Sequence, residues 1–116
     1  MARSKSETIR IYGPWSFRAW GYGLRCLVVG CETTDYRPGR VKLIEQCHTT
    51  NGGTGRKAGW QNTCFMCWRH HDESHRGVRT FEEGNRLRIG EVDVATLKGA
   101  AIATQALWEI HEEGLE

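Results

Sequence analysis

The chain has 116 residues, of which 39% are hydrophobic and 26% are charged, and its formal net charge at pH 7 is +2. This length suits one domain, and the composition excludes a disordered chain. The charge is uneven: residues 1–76 carry 12 Lys and Arg against 6 Asp and Glu, whereas residues 77–116 carry 4 against 8. A basic first part is expected in a protein that meets a polyanion, although an ordinary basic surface beside an acidic helix would give the same counts.

Residues 1–12 are polar, and no apolar stretch typical of a secretory signal follows them. We therefore expect a flexible basic arm over 1–12 and a single domain over 13–116. No apolar run approaches the length of a membrane span, so we expect no membrane association and a cytoplasmic location. In a reducing compartment, the five cysteines are expected to bind metal before they form disulfides.

The first predicted elements lead toward a histidine. "PWSFRAWGYG" (14–23) predicts a short aromatic helix that starts at Pro14. "VKLIEQCH" (41–48) alternates and predicts a strand that ends near His48. A glycine-rich loop, "NGGTGRKAG" (51–59), follows that strand and precedes a second predicted strand, "WQNTCFMC".

Helices are predicted for the rest of the chain. "WRHHDESHRG" begins a helix that stops near Gly77. In "TFEEG", Thr80 with Glu83 three residues later has the spacing of a capping box. The last stretch predicts an amphipathic helix capped by Asp93, with Trp108 on its apolar face. That face is either core or the seam of a homodimer.

Cysteine and histidine spacing predicts a zinc site. Cys26 and Cys31 have four residues between them, which is at the wide end for a zinc knuckle. The second half of the site has two candidates, because Cys64 with Cys67 and Cys67 with His70 have the same spacing. The residues alone leave both choices open.

The second choice has a consequence for two more histidines. It leaves His71 and His75 as a pair four residues apart, which project from one face of a helix. Two such imidazoles could share a second metal or a phosphate.

Four residues together carry a resemblance to a known family. His48, Asn62, His71 and His75 read as H-x13-N-x8-H-x3-H, with a "GGTGRK" loop between the first two. This pattern resembles the HNH endonucleases, also called the ββα-metal or His-Me finger family. It is most similar to small phage and prophage members in which structural zinc ligands flank the finger. The resemblance covers roughly residues 14–115.

The resemblance implies a small α+β fold. Its parts are a ββα-metal finger with its core over 41–76, a structural zinc knuckle, and a C-terminal helical region over 80–114. In this family an Asn lies five residues before the first ligand of the metal helix. Asn62 lies five residues before Cys67, so the resemblance selects Cys67 and His70 as the partners of Cys26 and Cys31. Cys64 is then an apolar filler.

The resemblance also implies a metal-dependent DNA endonuclease that nicks or cuts double-stranded or branched DNA, located in the host cell cytoplasm if it is phage-encoded. His48 is the expected general base, and His71 with His75 the expected ligands of a catalytic Mg²⁺ or Mn²⁺. The amide of Asn62 is expected to pin the finger loop. The products should carry 5′-phosphate and 3′-hydroxyl ends. The expected DNA contacts are Arg56, Lys57, Arg69 and Arg76.

One departure from the family pattern keeps another interpretation open. Cys47 stands where many HNH enzymes have an Asp metal ligand, although Glu45 or Asp72 could supply an oxygen. The alternative is therefore a catalytically inactive, zinc-stabilised module that binds nucleic acid. A third interpretation is a structural protein that recruits a partner through the Trp108 helix.

Overall fold

The computed structural model describes residues 4–36, 39, 42–49 and 59–114. Over these residues the fold is a small α+β domain with five helices and two antiparallel, two-stranded sheets. The helices are α1 (Lys5–Tyr12), α2 (Trp15–Tyr22), α3 (Trp68–Arg76), α4 (Val78–Gly84) and α5 (Leu97–Glu113). The strands are β1 (Ile44–His48), β2 (Thr63–Cys67), β3 (Leu87–Ile89) and β4 (Val92–Val94). A 3₁₀ turn, Trp60–Asn62, leads into β2.

The sheet of β1 and β2 lies at the centre of the fold and runs directly into α3. Its register pairs Ile44 with Cys67 and His48 with Thr63. All five residues of β2 are buried. Since side chains alternate along a strand, both faces of β2 must therefore be covered.

Two hydrophobic clusters cover these two faces. One contains Cys64 and Met66 of β2, and the other contains Phe65 and Cys67. Helix α5 serves both clusters, because Ala100 lies in the first and Trp108 in the second. The sheet is thus held between elements that are distant in sequence.

Helix α2 contacts the sheet through a glycine. A Cβ atom at Gly21 would lie 2.0 Å from Cζ of Phe65. Only a residue without a side chain allows the helix to rest on this ring. Phe17, on the same helix, is fully buried and contacts Phe65 and Trp108, each with a centroid distance of 5.5 Å.

The N-terminal segment differs from the expected flexible arm. Residues 5–12 form α1, whose N-cap Ser4 accepts a hydrogen bond from the backbone of Glu7 at 3.1 Å. Ile11 is only 4% exposed. A polar segment with one buried apolar residue and a good N-cap can form a short helix when it has something to pack against.

The C-terminal region differs from the prediction in its helix starts. Helix α4 begins at Val78, so Thr80 lies inside it and caps nothing, and no capping box with Glu83 forms. Asp93 lies in β4. It forms ion pairs with Arg86, which directly precedes β3, at 2.9 Å, and with Arg88 of β3, at 2.8 Å. The N-cap of α5 is Thr96, whose hydroxyl accepts from the backbone of Gly99 at 3.0 Å. The region 80–114 therefore contains a β-hairpin as well as helices.

Trp108 belongs to the core. It is 3% exposed, and its ring centroid lies 5.3 Å from that of Trp20. The large apolar residues that α5 leaves exposed are Ile102 and Ile110. The homodimer through this helix stays a prediction. Within the described part of the chain, no helix combines the length and the apolar character that a membrane span requires.

Candidate metal centres

The first cluster gathers four side chains from three parts of the chain. Cys26 and Cys31 come from the loop after α2, Cys67 ends β2, and His70 lies in the first turn of α3. One ligand atom from each residue lies within 4.8 Å of the others. These are the four residues that the sequence predicted for zinc, and Cys64 is not among them.

The separations in this cluster are close to those of a tetrahedral zinc site. The sulfur atoms of Cys31 and Cys67 are 3.7 Å apart. Nδ1 of His70 lies 3.1 Å from the sulfur of Cys67 and 3.4 Å from that of Cys26. Zn–S and Zn–N bonds of ordinary length in tetrahedral geometry give S···S and S···N edges of about 3.8 and 3.6 Å. The four residues could therefore hold one metal ion such as zinc.

The charges of the cluster also favour a cation. Burial raises the pKa of the Cys26 thiol, and the neighbouring Cys67 and Cys31 raise it further. For Cys31, burial is outweighed by hydrogen bonds from the backbone and hydroxyl of Thr33 and from the other thiols, so its pKa is lowered. Deprotonation of all three cysteines would bring like charges together, and a bound cation would compensate that repulsion.

The wide spacing between Cys26 and Cys31 has a structural reason. The backbone between them runs beside β3: Val29 donates to the carbonyl of Arg86, and Arg88 donates to that of Leu27, both at 2.8 Å. The side chains of Leu27 and Val28 are buried. The loop then turns at a glycine, residue 30, whose φ of +80° suits a residue without Cβ. Two of the four intervening residues, Leu27 and Val28, are thus part of the core.

Local backbone geometry places the other two ligands. Cys67 is the N-cap residue of α3, with φ −65° and ψ 159°, so its sulfur lies where the strand turns into the helix. His70 follows three residues later on the first helical turn. The N-terminus of a helix favours a thiolate, because the helix dipole places partial positive charge there.

The second cluster consists of Cys47, His71 and His75. The two histidine rings project from one face of α3, with their centroids 4.5 Å apart. Cys47 of β1 faces them and is 1% exposed, whereas His75 is exposed. The predicted pairing of His71 with His75 is therefore present, with a sulfur as the third donor.

Two neighbours determine the protonation of this cluster. A hydrogen bond from Cys64 lowers the pKa of Cys47 to about 5 against the opposing effect of burial, and His71 lowers it further. The same contact raises the pKa of Cys64 well above its ordinary value. Burial lowers the pKa of His71, but Cys47 and Glu45 more than compensate, so its pKa is raised. In the hydrogen-bonded pair of Cys47 and Cys64, Cys47 is thus the thiolate and Cys64 the thiol.

Glu45 orients one of these histidines. Its Oε1 lies 2.9 Å from Nδ1 of His71, and both side chains are less than one-fifth exposed. A carboxylate on one ring nitrogen of a ligand histidine fixes its tautomer and makes the other nitrogen a better ligand. Glu45 therefore contacts His71 and is not itself a member of the three-residue cluster. Asp72 is not part of the cluster.

His48 lies on the other face of β1. The odd residues of the strand, Glu45 and Cys47, meet α3, whereas Gln46 and His48 meet the end of α1. Nε2 of His48 lies 2.7 Å from the carbonyl oxygen of Ile11. His48, the expected general base, thus follows Cys47 directly in the chain but is not a member of the second cluster.

Asn62 connects the ends of the two strands through its backbone carbonyl. Its backbone carbonyl accepts from the amide of Thr49 at 2.9 Å and from the hydroxyl of Thr49 at 3.0 Å. Its side chain makes no hydrogen bond with any described residue, and it is exposed. The predicted contact of the Asn62 amide with the finger loop stays a prediction, because residues 50–58 lie outside the described part of the chain.

The predicted DNA contacts are only partly described. Arg56 and Lys57 lie outside the described residues. Arg69 is exposed, lies 3.6 Å from a carboxylate oxygen of Asp35, and stacks over Trp68 at 5.1 Å. Arg76, also exposed, ends α3. Their roles in DNA binding stay predictions.

Sequence reasoning missed Cys47 as a member of the second cluster. It treated this residue as a departure from an acidic pattern, although the strand prediction contained the necessary signal. In a strand that ends at His48, the preceding residue must point to the opposite face, where the following helix packs. The sequence also left the function of Glu45 undecided between a metal ligand and no special role.

Comparisons with protein-family models, with curated proteins and with solved structures gave no match. The function of the two clusters is therefore argued from their own geometry and chemistry.

Proposed function

We propose that the protein is a metal-dependent DNA endonuclease of the HNH type, with β1, β2 and α3 as its ββα-metal finger. One observation carries the proposal: a three-donor cluster of Cys47, His71 and His75 lies where β1 meets α3, and His48 follows Cys47 directly. Three protein donors leave a coordination position for a substrate or water, which is typical of catalytic metal sites. The four-donor cluster supplies the structural site.

The donor set favours a different ion from the one that the sequence suggested. Mg²⁺ prefers an octahedron of oxygen ligands. A thiolate with two imidazoles suits Zn²⁺ or a similar transition ion instead. We therefore propose a Zn²⁺-like ion at Cys47, His71 and His75, and Zn²⁺ at the knuckle. When bound, this ion supplies Lewis-acid stabilisation of charge on the scissile phosphate.

His48 acts as the general base in this proposal. Because its Nε2 donates to the carbonyl of Ile11, the proton is fixed on that nitrogen and Nδ1 carries the lone pair. The carbonyl also holds the ring in one orientation. Glu45 acts as a positioning residue, because it holds the ring of His71.

Plasmid nicking tests the proposal. Supercoiled plasmid is incubated with the wild type, His48→Ala and His71→Ala in the presence of Zn²⁺, Mn²⁺ or Mg²⁺, and relaxed and linear products are counted. We expect each variant to cut at least about 100-fold more slowly, because a general base or a metal ligand is lost. His111→Ala, which changes an exposed histidine of α5, is the matched control and should cut as the wild type does.

The second candidate is an inactive, zinc-stabilised module that binds nucleic acid. It is favoured by the position of His48, which meets Ile11 and Tyr12 rather than the metal cluster. If no ion supports cleavage while the wild type still retards DNA in a gel, this candidate replaces the enzyme. If His48→Ala cuts as fast as the wild type, the assigned general base is wrong.

A further inference from the structure

A strip of aromatic rings and cations covers the surface formed by α1, α2 and Lys42, which lies just before β1. We call it the aromatic–cationic strip, and it consists of Tyr12, Trp15, Arg18, Tyr22 and Lys42. The guanidinium of Arg18 lies 5.7 Å from the ring centroid of Tyr12 and 5.2 Å from that of Trp15. Nζ of Lys42 lies 5.1 Å from the ring of Trp15 and 3.9 Å from that of Tyr22.

The indole of Trp15 is available at the surface of this strip. The residue is 59% exposed, although Trp is usually well covered. Phe17 and Trp20 on the same helix are in the core or packed against it, so α2 has enough aromatic surface for folding without Trp15. An exposed indole beside two cations therefore needs an explanation other than packing.

The cations of the strip are not neutralised. Among the described residues, neither Arg18 nor Lys42 forms an ion pair, whereas Arg10 pairs with Glu7 and Arg69 with Asp35. Nε of Arg18 is buried and has no hydrogen-bond partner. The strip thus offers positive charge to an anion.

The strip also leads to His48. The ring of Tyr12 packs edge-on against the imidazole of His48, with centroids 5.5 Å apart. The residue before Tyr12 supplies the carbonyl that binds Nε2 of His48. A strand of nucleic acid whose phosphate lies at His48 would therefore pass over Tyr12, Arg18 and Trp15.

We propose that the aromatic–cationic strip binds an unpaired segment of a nucleic-acid strand, with one base stacked on Trp15 and phosphates at Arg18 and Lys42. Stacking on an exposed ring requires a base whose face is open, which a continuous duplex does not offer. Cations beside the ring meet the flanking phosphates. The inference rests on the proposed function and specifies its substrate: a single strand, an overhang or a flap.

Binding measurements test the strip separately from catalysis. The full chain carrying His71→Ala is titrated into fluorescently labelled single-stranded DNA, the same sequence as RNA, and a blunt duplex, and anisotropy is recorded. Adding Trp15→Ala should weaken single-strand binding about tenfold to a hundredfold, because one stacking platform is lost. Duplex binding should not change. The DNA and RNA arms identify which strand is preferred.

Matched variants distinguish stacking from a change in the fold. Tyr36→Ala removes another exposed aromatic residue outside the strip and should leave binding unchanged. Trp15→Phe should restore most of the affinity, since it keeps a ring. Lys42→Ala should weaken binding and reduce the slope of affinity against salt concentration by about one, as expected for the loss of one phosphate contact.

The possible results separate this inference from the proposed function. If Trp15→Ala binds single strands as tightly as Tyr36→Ala does, with unchanged zinc content, the strip only holds the stems of Arg18 and Lys42 and the inference fails, even if the wild type cuts plasmid. If Trp15→Ala loses single-strand binding while no protein cuts DNA, the strip stands and the endonuclease proposal fails.

Discussion

The two candidate metal centres share α3 but differ in how they are connected to the rest of the protein. The knuckle joins a loop, the end of β2 and the start of α3 through four donors. The second cluster joins only β1 and α3, through three donors, one of which is exposed. A closed set of four donors stabilises a fold, whereas three donors with one side open to solvent leave room for chemistry.

The two centres also differ in how exposed their side chains are. In the knuckle, Cys67 is fully buried and the other three side chains are partly buried. In the second cluster, Cys47 is buried but His75 lies at the surface. The consecutive residues His70 and His71 of α3 thus belong to different clusters, and only the second cluster includes an exposed side chain.

The largest difference is expected between two variants of β2, Cys67→Ser and its control Cys64→Ser. Cys67→Ser should lose the knuckle metal and more than about 4 kcal/mol of unfolding free energy, because a structural metal contributes directly to folding. Cys64→Ser changes an equally buried thiol on the same strand that is not a ligand. It should cost about 1–3 kcal/mol and leave the metal content unchanged.

Metal analysis by mass spectrometry and thermal denaturation measure this difference. Equal metal loss from both variants would mean that the ligands are divided between the centres in another way than the distances indicate.

A smaller effect is expected from a change of donor at the second centre. Cys47→Asp should weaken Zn²⁺ binding there by at least about tenfold and make Mn²⁺ or Mg²⁺ better competitors, because a hard oxygen replaces a soft sulfur. The knuckle metal should stay in place. Competition titrations on protein with a loaded knuckle measure the preference, and Cys47→Ser, which supplies no anionic donor, is the control. Unchanged metal preference in Cys47→Asp would remove Cys47 from the ligand set.

The smallest effect concerns the residue behind His71. Glu45→Gln keeps the shape of the side chain but removes its charge. We expect about tenfold weaker metal binding at the second centre, because a ligand histidine loses its carboxylate partner. Calorimetric titration measures this affinity. Glu45 raises the pKa of His71, so in the metal-free second centre that pKa should fall in the variant.

NMR titration of the histidine signals measures the pKa of His71. The metal content of the knuckle should not change and serves as an internal reference. A variant with wild-type metal affinity and a wild-type His71 pKa would show that the 2.9 Å contact does not matter energetically.

Local rules account for the parts of the fold that were predicted well. A helix over residues 68–76 follows from polar residues with two histidines four positions apart, and the structure contains α3 over that range. The strands before it follow from alternation and from the turn residues that bound them. Each of these elements depends mainly on neighbours in sequence.

Competition between local signals accounts for the parts that were predicted wrongly. Asp and Thr are both common N-cap residues, and Asp93 was the cap predicted for the last helix. The structure places Asp93 in β4, where it meets Arg86 and Arg88, and α5 therefore starts after Thr96. Likewise, α1 has a polar sequence, and its helix depends on Ile11 finding a buried position.

The sequence by itself determined the chemistry that is available: which donors exist, their spacing along α3, and the zinc set that the family resemblance singled out. Only the tertiary structure decided that Cys47 completes the second cluster, that Glu45 supports His71, and that His48 turns toward α1. The reason is that spacing along one helix fixes which side chains share a face, whereas contacts between a strand and a helix depend on how the whole core packs.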